Sequence, residues 1–111
     1  MITEGTETHL YLDGQLAGKV LTRHGNHAWG FGDFLPTPQF SAFANLFGRW
    51  SLLMHADGEK EPLSPAASEE LRETEIAIDA LKARLFVPER GEWHLLSQLN
   101  IDGPLIEWQE A

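Results

Sequence analysis

The residues able to do chemistry in this chain are its histidines, serines and carboxylates, and their spacing assembles no complete reactive group. His24 and His27 stand three apart, and a metal pair of that kind needs a further ligand, which Glu7 or Asp33 would have to supply. The helical frame that pairs histidines on zinc is absent, and both lie in a glycine- and asparagine-bearing stretch that suits a surface loop. His9, His55 and His94 have no partner at a ligand spacing. Serine chemistry needs a hydroxyl poised on a sharp turn with an imidazole and a carboxylate behind it. Ser41, Ser51, Ser64, Ser68 and Ser97 sit in no such frame, and Ser64-Pro65 reads better as the start of a helix. Gly30-x-Gly32 lacks the third glycine and the lysine of a phosphate loop. Cysteine is absent, which removes disulfides, thiol catalysis and thiolate metal sites. The sequence assigns no catalytic residue, no metal and no cofactor.

Asp33 is the exception among the carboxylates. It lies inside the run from Trp29 to Trp50, which holds five of the six phenylalanines and two of the four tryptophans. A carboxylate in apolar surroundings is a functional candidate. Trp29, Phe31, Phe34 and Trp50 with Asp33 therefore make a candidate ligand pocket between a sheet and the first helix. The alternative for Asp33 is structural, as the cap of a turn before that helix.

The elements that must position these residues follow from turn and cap chemistry. Thr8 to Leu12 is rich in strand formers, Asp13-Gly14 is a hairpin signal, and Gln15 to Thr22 reads as a second strand with a candidate bulge at Gly18. Arg23 to His27 reads as a polar loop. Trp29 and Phe31 alternate with Gly30 and Gly32 as a short strand whose glycine side lies close to another backbone or to a bulge. Thr37-Pro38 has the grammar of a cap and first helical residue, and Phe40, Phe43, Phe47, Trp50 and Met54 fall on one face of the helix that follows. Ala56 to Leu63 is a charged loop, the segment least suited to order. Ser64-Pro65 then starts a second helix to about Asp79 whose inner stripe is Leu71, Thr74, Ile78 and Leu81. The alternation from Leu81 to Val87 suits a strand as well as continued helix, and strand is the reading taken. Trp93 to Ile101 and Leu105 to Gln109 complete the strands around the turn signal Asp102-Gly103. The frame Leu-x-aliphatic-Asp-Gly-x-Leu occurs at 10–16 and again at 99–105, and shared turn chemistry explains it more simply than duplication. The expected fold is one α+β domain, an antiparallel sheet of about five strands with two helices packed on one face.

Trp29-x-x-Gly32-x-Phe34-x-Pro36-Thr37-x-x-Phe40, then Leu46-Phe47 and Leu99-x-Ile101-Asp102-Gly103, resembles the pattern of a group of short bacterial proteins of unknown function. The resemblance spans most of the chain. Its motifs are architectural and imply no activity.

At 111 residues the chain can bury about two-thirds of its unfolded surface as one domain without staples. No apolar run approaches a bilayer span and the first residues carry no basic and apolar leader, so the expected compartment is the cytoplasm. The net charge is −9, which opposes binding to nucleic acid or anionic membrane. Between Asp57 and Asp79 eight acidic residues face two basic ones, so Glu69, Glu70 and Glu73 make either a solvated helix face or a docking surface for a basic partner. The last strand is apolar on both sides. A one-sided sheet would leave Ile106 and Trp108 wet, which favours a homodimer covering Trp108. The function expected is a small acidic interaction protein without catalysis; the alternative is a small-ligand binder or enzyme with its pocket around Asp33.

Overall fold

Asp13 (φ 50°) and Gly14 (φ 80°) both have positive φ, as a tight type I′ turn requires, and they join β1 (Glu7–Leu12) to β2 (Gln15–Asn26). The computed structural model describes residues 4–26, 29–57 and 62–111. The polar loop expected from Arg23 is instead a continuation of β2. The strand pairs with β3 (Trp29–Pro36) as far as Asn26 opposite Trp29, because a bulge between Thr22 and His24 absorbs the mismatch in register. His27 and the His24 side chain lie outside the described residues. At the other hairpin, Asp102 is still in the strand, and Gly103 (φ 58°) precedes Pro104, whose ring fixes a negative φ. The repeated Leu-x-aliphatic-Asp-Gly-x-Leu frame thus marks two different turns, one residue out of step.

The sheet corrects the expectation of about five strands with one covered face. Six antiparallel strands close into a barrel in the order β1-β2-β3-β6-β5-β4, with β4 at Ala83–Val87, β5 at Glu92–Asp102 and β6 at Leu105–Glu110. Closure comes from β1 pairing with β4 (Leu10 opposite Leu85) and β3 pairing with β6 (Gly32 opposite Ile106). Thr8, Leu10 and Leu12 alternate inward on β1, as do Ala83, Leu85 and Val87 on β4, so both strands need the same interior. Bulges at Leu10–Tyr11, Thr22–His24 and Leu96–Gln98 supply the coiling that closure demands. The first of them faces the stretch from Leu16 to Gly18, where the sequence marked a bulge. Leu10, Leu12, Val20, Phe34, Leu85, Ile106 and Trp108 fill the barrel.

Closure also overturns the reason for a partner over Trp108. A barrel has no sheet edge, and Trp108 is 2% exposed inside it. It belongs to the core and not to an interaction surface.

The helices connect β3 to β4. Thr37 makes no side-chain cap bond; its hydroxyl donates to the Leu16 carbonyl at 2.6 Å and its N–H donates to Ala17 O at 2.9 Å, which ties the crossover to β2. A 3-10 turn at Pro38–Phe40 leads into α1 (Ser41–Asp57). Phe40 meets Phe34 edge-on at 4.9 Å and stacks with Phe47 at 5.9 Å, so the aromatic run links the barrel interior to the helix. Phe47 is buried, Phe40, Phe43 and Trp50 are half-buried, and Met54 is exposed. The charged loop expected over 56–63 is in part the end of α1, and residues 58–61 lie outside the described residues. Ser64 caps α2 (Pro65–Asp79) by accepting from Ala67 N at 3.1 Å. Leu81 is still bonded back to Ile78 O, so β4 begins at Ala83, two residues later than the alternation suggests. Both helices contact β5. Among the described residues no helix is long and apolar enough to cross a membrane.

Candidate functional site

Outward positions on β5 and β6 build the floor of the site. Leu99 and Ile101 point into the barrel, so Asn100 and Asp102, which alternate with them, point out toward α1; Ile106 points in, which sends Leu105 and Glu107 out. Asn100 Nδ2 donates to Glu107 Oε1 at 2.8 Å across the two strands. On α1, Ser51 and His55 are one turn apart and share Asp102: Ser51 Oγ donates to Oδ1 at 2.5 Å and His55 Nε2 lies 3.0 Å from Oδ2. The Ser51 hydrogen bond, helped by His55 and opposed by partial burial, holds the Asp102 carboxyl below the usual carboxylate range.

Trp50, beside Ser51, is the hinge of two adjoining hollows. One, of about 420 Å³, is lined by Phe31 and Arg23 on one side and by Asn100, Asp102, Leu105 and Glu107 on the other. The second, of about 180 Å³, lies between the helices and β5, against Met54, Glu75, Asp79 and Gln98. Both are lined by Trp50 and Asn100, so they form a groove running over one indole. Four carboxylates line it, from Glu75, Asp79, Asp102 and Glu107. Its one described lysine or arginine, Arg23, is held by Asp33 at 2.7 Å.

The sequence-predicted pocket residues divide among three places. Phe31 and Trp50 come together in the groove. Asp33 lies on the outer wall, where its carboxylate accepts from Arg23, and it lines neither hollow of the groove. Phe34 is inside the barrel, and Trp29 is half-buried at the far end of β3 opposite Gln109. Of the acidic helix, Glu69 is bonded to Arg72 and Glu70 to Arg49, while Glu73 is exposed. The first two are neutralised within the molecule. Glu75 and Asp79, which sequence reasoning passed over, have no hydrogen-bond or ion-pair partner among the described residues and line the groove. Their signal was the four-residue spacing on α2; that of Asn100 and Glu107 was polar alternation between core residues.

Serine, histidine and aspartate do meet here, but in the wrong order for acyl transfer. A nucleophilic triad places the imidazole between hydroxyl and carboxylate, whereas Asp102 stands between Ser51 and His55. The trio ties α1 to the end of β5. No group of three histidine or acidic side chains among the described residues has metal-binding geometry. What the groove offers is an aromatic face ringed by negative charge, a setting that attracts cations. In comparisons with known proteins the chain matches no family model, no curated protein and no solved structure.

Proposed function

We propose that the chain is a small acidic cytoplasmic interaction protein without catalytic activity, which receives a basic segment of a partner protein in the Trp50 groove. The observation that carries this reading is Trp50 at the junction of the two hollows with Glu75 and Asp79 unpaired beside it. A lysine or arginine side chain laid over the indole gains a cation–π contact, worth roughly 0.5–2 kcal/mol, and finds carboxylates at both ends of the groove. The net charge of −9 steers a basic partner inward over a Debye length. Titration of a lysine- and arginine-rich peptide, followed by calorimetry at low and high salt, tests it. Binding should weaken with salt and drop about tenfold in Trp50→Ala, and further in Glu75→Gln/Asp79→Asn. Absence of binding at low salt, or binding indifferent to all three substitutions, overturns it.

A second reading keeps the same groove and shrinks the ligand. The larger hollow, about 420 Å³, lies in the usual range for small-molecule sites, roughly 300–1,000 Å³. A small organic cation such as a polyamine would then compete with the peptide and bind with unchanged affinity when the peptide is absent.

A further inference from the structure

The two hollows that meet at Trp50 differ in charge. The smaller, about 180 Å³, is lined by Glu75 and Asp79, which have no hydrogen-bond or ion-pair partner among the described residues. They stand one turn apart on α2, so both carboxylates face the same side. Among the described residues no lysine or arginine lines this hollow. The larger, about 420 Å³, also has two carboxylates on its lining, but both are engaged. Asp102 accepts from Ser51 on Oδ1 and meets His55 Nε2 at Oδ2, and Glu107 Oε1 accepts from Asn100 Nδ2. Arg23 stands on the same lining, held by Asp33, so a second cation entering here meets a guanidinium. The other side chains of the larger hollow are mainly apolar, with Phe31, Trp50 and Leu105, and Leu105 is 58% exposed.

Taking the Trp50 groove as the binding site, we infer that it reads two side chains of a partner segment together: a lysine or arginine in the smaller hollow and a large apolar residue, two positions away, in the larger. Charge complementarity places the cation. Like charges one helical turn apart destabilise the helix that carries them, and a single cation between Glu75 and Asp79 relieves that repulsion. The smaller hollow has the volume of roughly six waters, room for an ammonium or guanidinium head and its last methylenes. The larger lies within the range of sites that enclose apolar groups, and filling it takes Leu105 out of water. Trp50 and Asn100 belong to both hollows, so the two bound side chains are separated by the span of one indole. In an extended segment residues i and i+2 share a face roughly 6–7 Å apart, which matches that span. The partner motif is therefore a basic residue with a large apolar one two positions from it. A run of lysines fits less well, because its second cation would lie against Arg23.

Three capped peptides of equal charge, titrated into the full chain and followed by NMR chemical shifts, test the pairing: Phe-Ser-Lys-Ser-Phe, its isomer Ser-Phe-Lys-Phe-Ser, and Ser-Ser-Lys-Ser-Ser. The first offers a ring two positions from the lysine in either chain direction and should bind about tenfold more tightly than the third. The isomer turns its rings to the opposite face and should keep little of that gain. All three should weaken with salt, while the ratio between the first and third holds, because apolar burial is not screened. Leu105→Ser should bring the first and third level. Glu75→Gln/Asp79→Asn should weaken both and preserve their ratio. All three substituted side chains are exposed, and melting temperatures near wild type verify that the variants are folded. Equal affinities of the first and third peptides, with binding still lost in Trp50→Ala, overturn the paired recognition and leave the groove standing. So does an advantage that the isomer shares in full, or one that survives Leu105→Ser. If none of the three binds at low salt the pairing falls, and the lysine- and arginine-rich peptide then shows whether the groove falls with it.

Discussion

Gly30 lies directly beneath the indole of Trp108: a Cβ built on Gly30 would fall 2.3 Å from Cε2 and 2.4 Å from Cζ2 of that ring. The two residues are opposite each other on β3 and β6, at one of the seams that close the barrel. The glycine is therefore required by space. Gly30→Ala should destabilise by about 1–3 kcal/mol, as overpacking does, in urea unfolding. Trp108→Leu should recover part of that loss when added to Gly30→Ala while being costly alone, the non-additivity of residues in contact. Simple additivity would show that the seam is not packed this way.

The aromatic face of α1 is graded. Phe47 is 2% exposed, whereas Phe43 is half-buried. Phe47→Ala should cost about 3–5 kcal/mol and Phe43→Ala distinctly less. Equal losses in denaturant titration would contradict the observed helix register.

Asp102 should give the fold a pH dependence on the acid side. Its carboxyl is held below the usual range by Ser51, then His55, so it binds its proton less readily folded than unfolded. The stabilisation is present above the unfolded pKa, about 3.9, and is lost as pH falls through the lower folded value. Because its side chain is 46% exposed, screening limits the effect to about 1 kcal/mol or less. Asp102→Asn should lower the melting temperature slightly at neutral pH and flatten its decline below about pH 4. An unchanged acid limb would remove Asp102 from the account.

Thr37 and Ser64 precede helices with the same Thr/Ser-Pro grammar, yet only Ser64 caps. Ser64→Ala should cost about 1 kcal/mol through α2. Thr37→Val should cost a similar amount by removing the bond to Leu16 O, and hydrogen exchange should locate the loss at the start of β2. Exchange quickened at the start of α1 instead would restore Thr37 to a capping role.

Local backbone chemistry carried those parts of the fold that depend on a few neighbouring residues. The bounds of α2 at Pro65–Asp79, its Ser64 cap, the Asp13-Gly14 turn and the strands around Gly103 were all legible, because caps, prolines and positive-φ glycines act within a turn of the chain. The sequence also marked Phe31 and Trp50 as residues of one pocket, which the groove joins. The tertiary structure alone decided that β1 finds β4 more than seventy residues away and that β3 finds β6. Inward and outward alternation reads the same in an open sheet with a covered face and in a closed barrel. A strand apolar on both sides therefore pointed to a partner for Trp108, when closure had already buried it. Asp33 meeting Arg23, and Asn100 meeting Glu107, are likewise set by register between strands. Register is fixed by which side chains the shared interior accepts, and no local signal along the chain contains that.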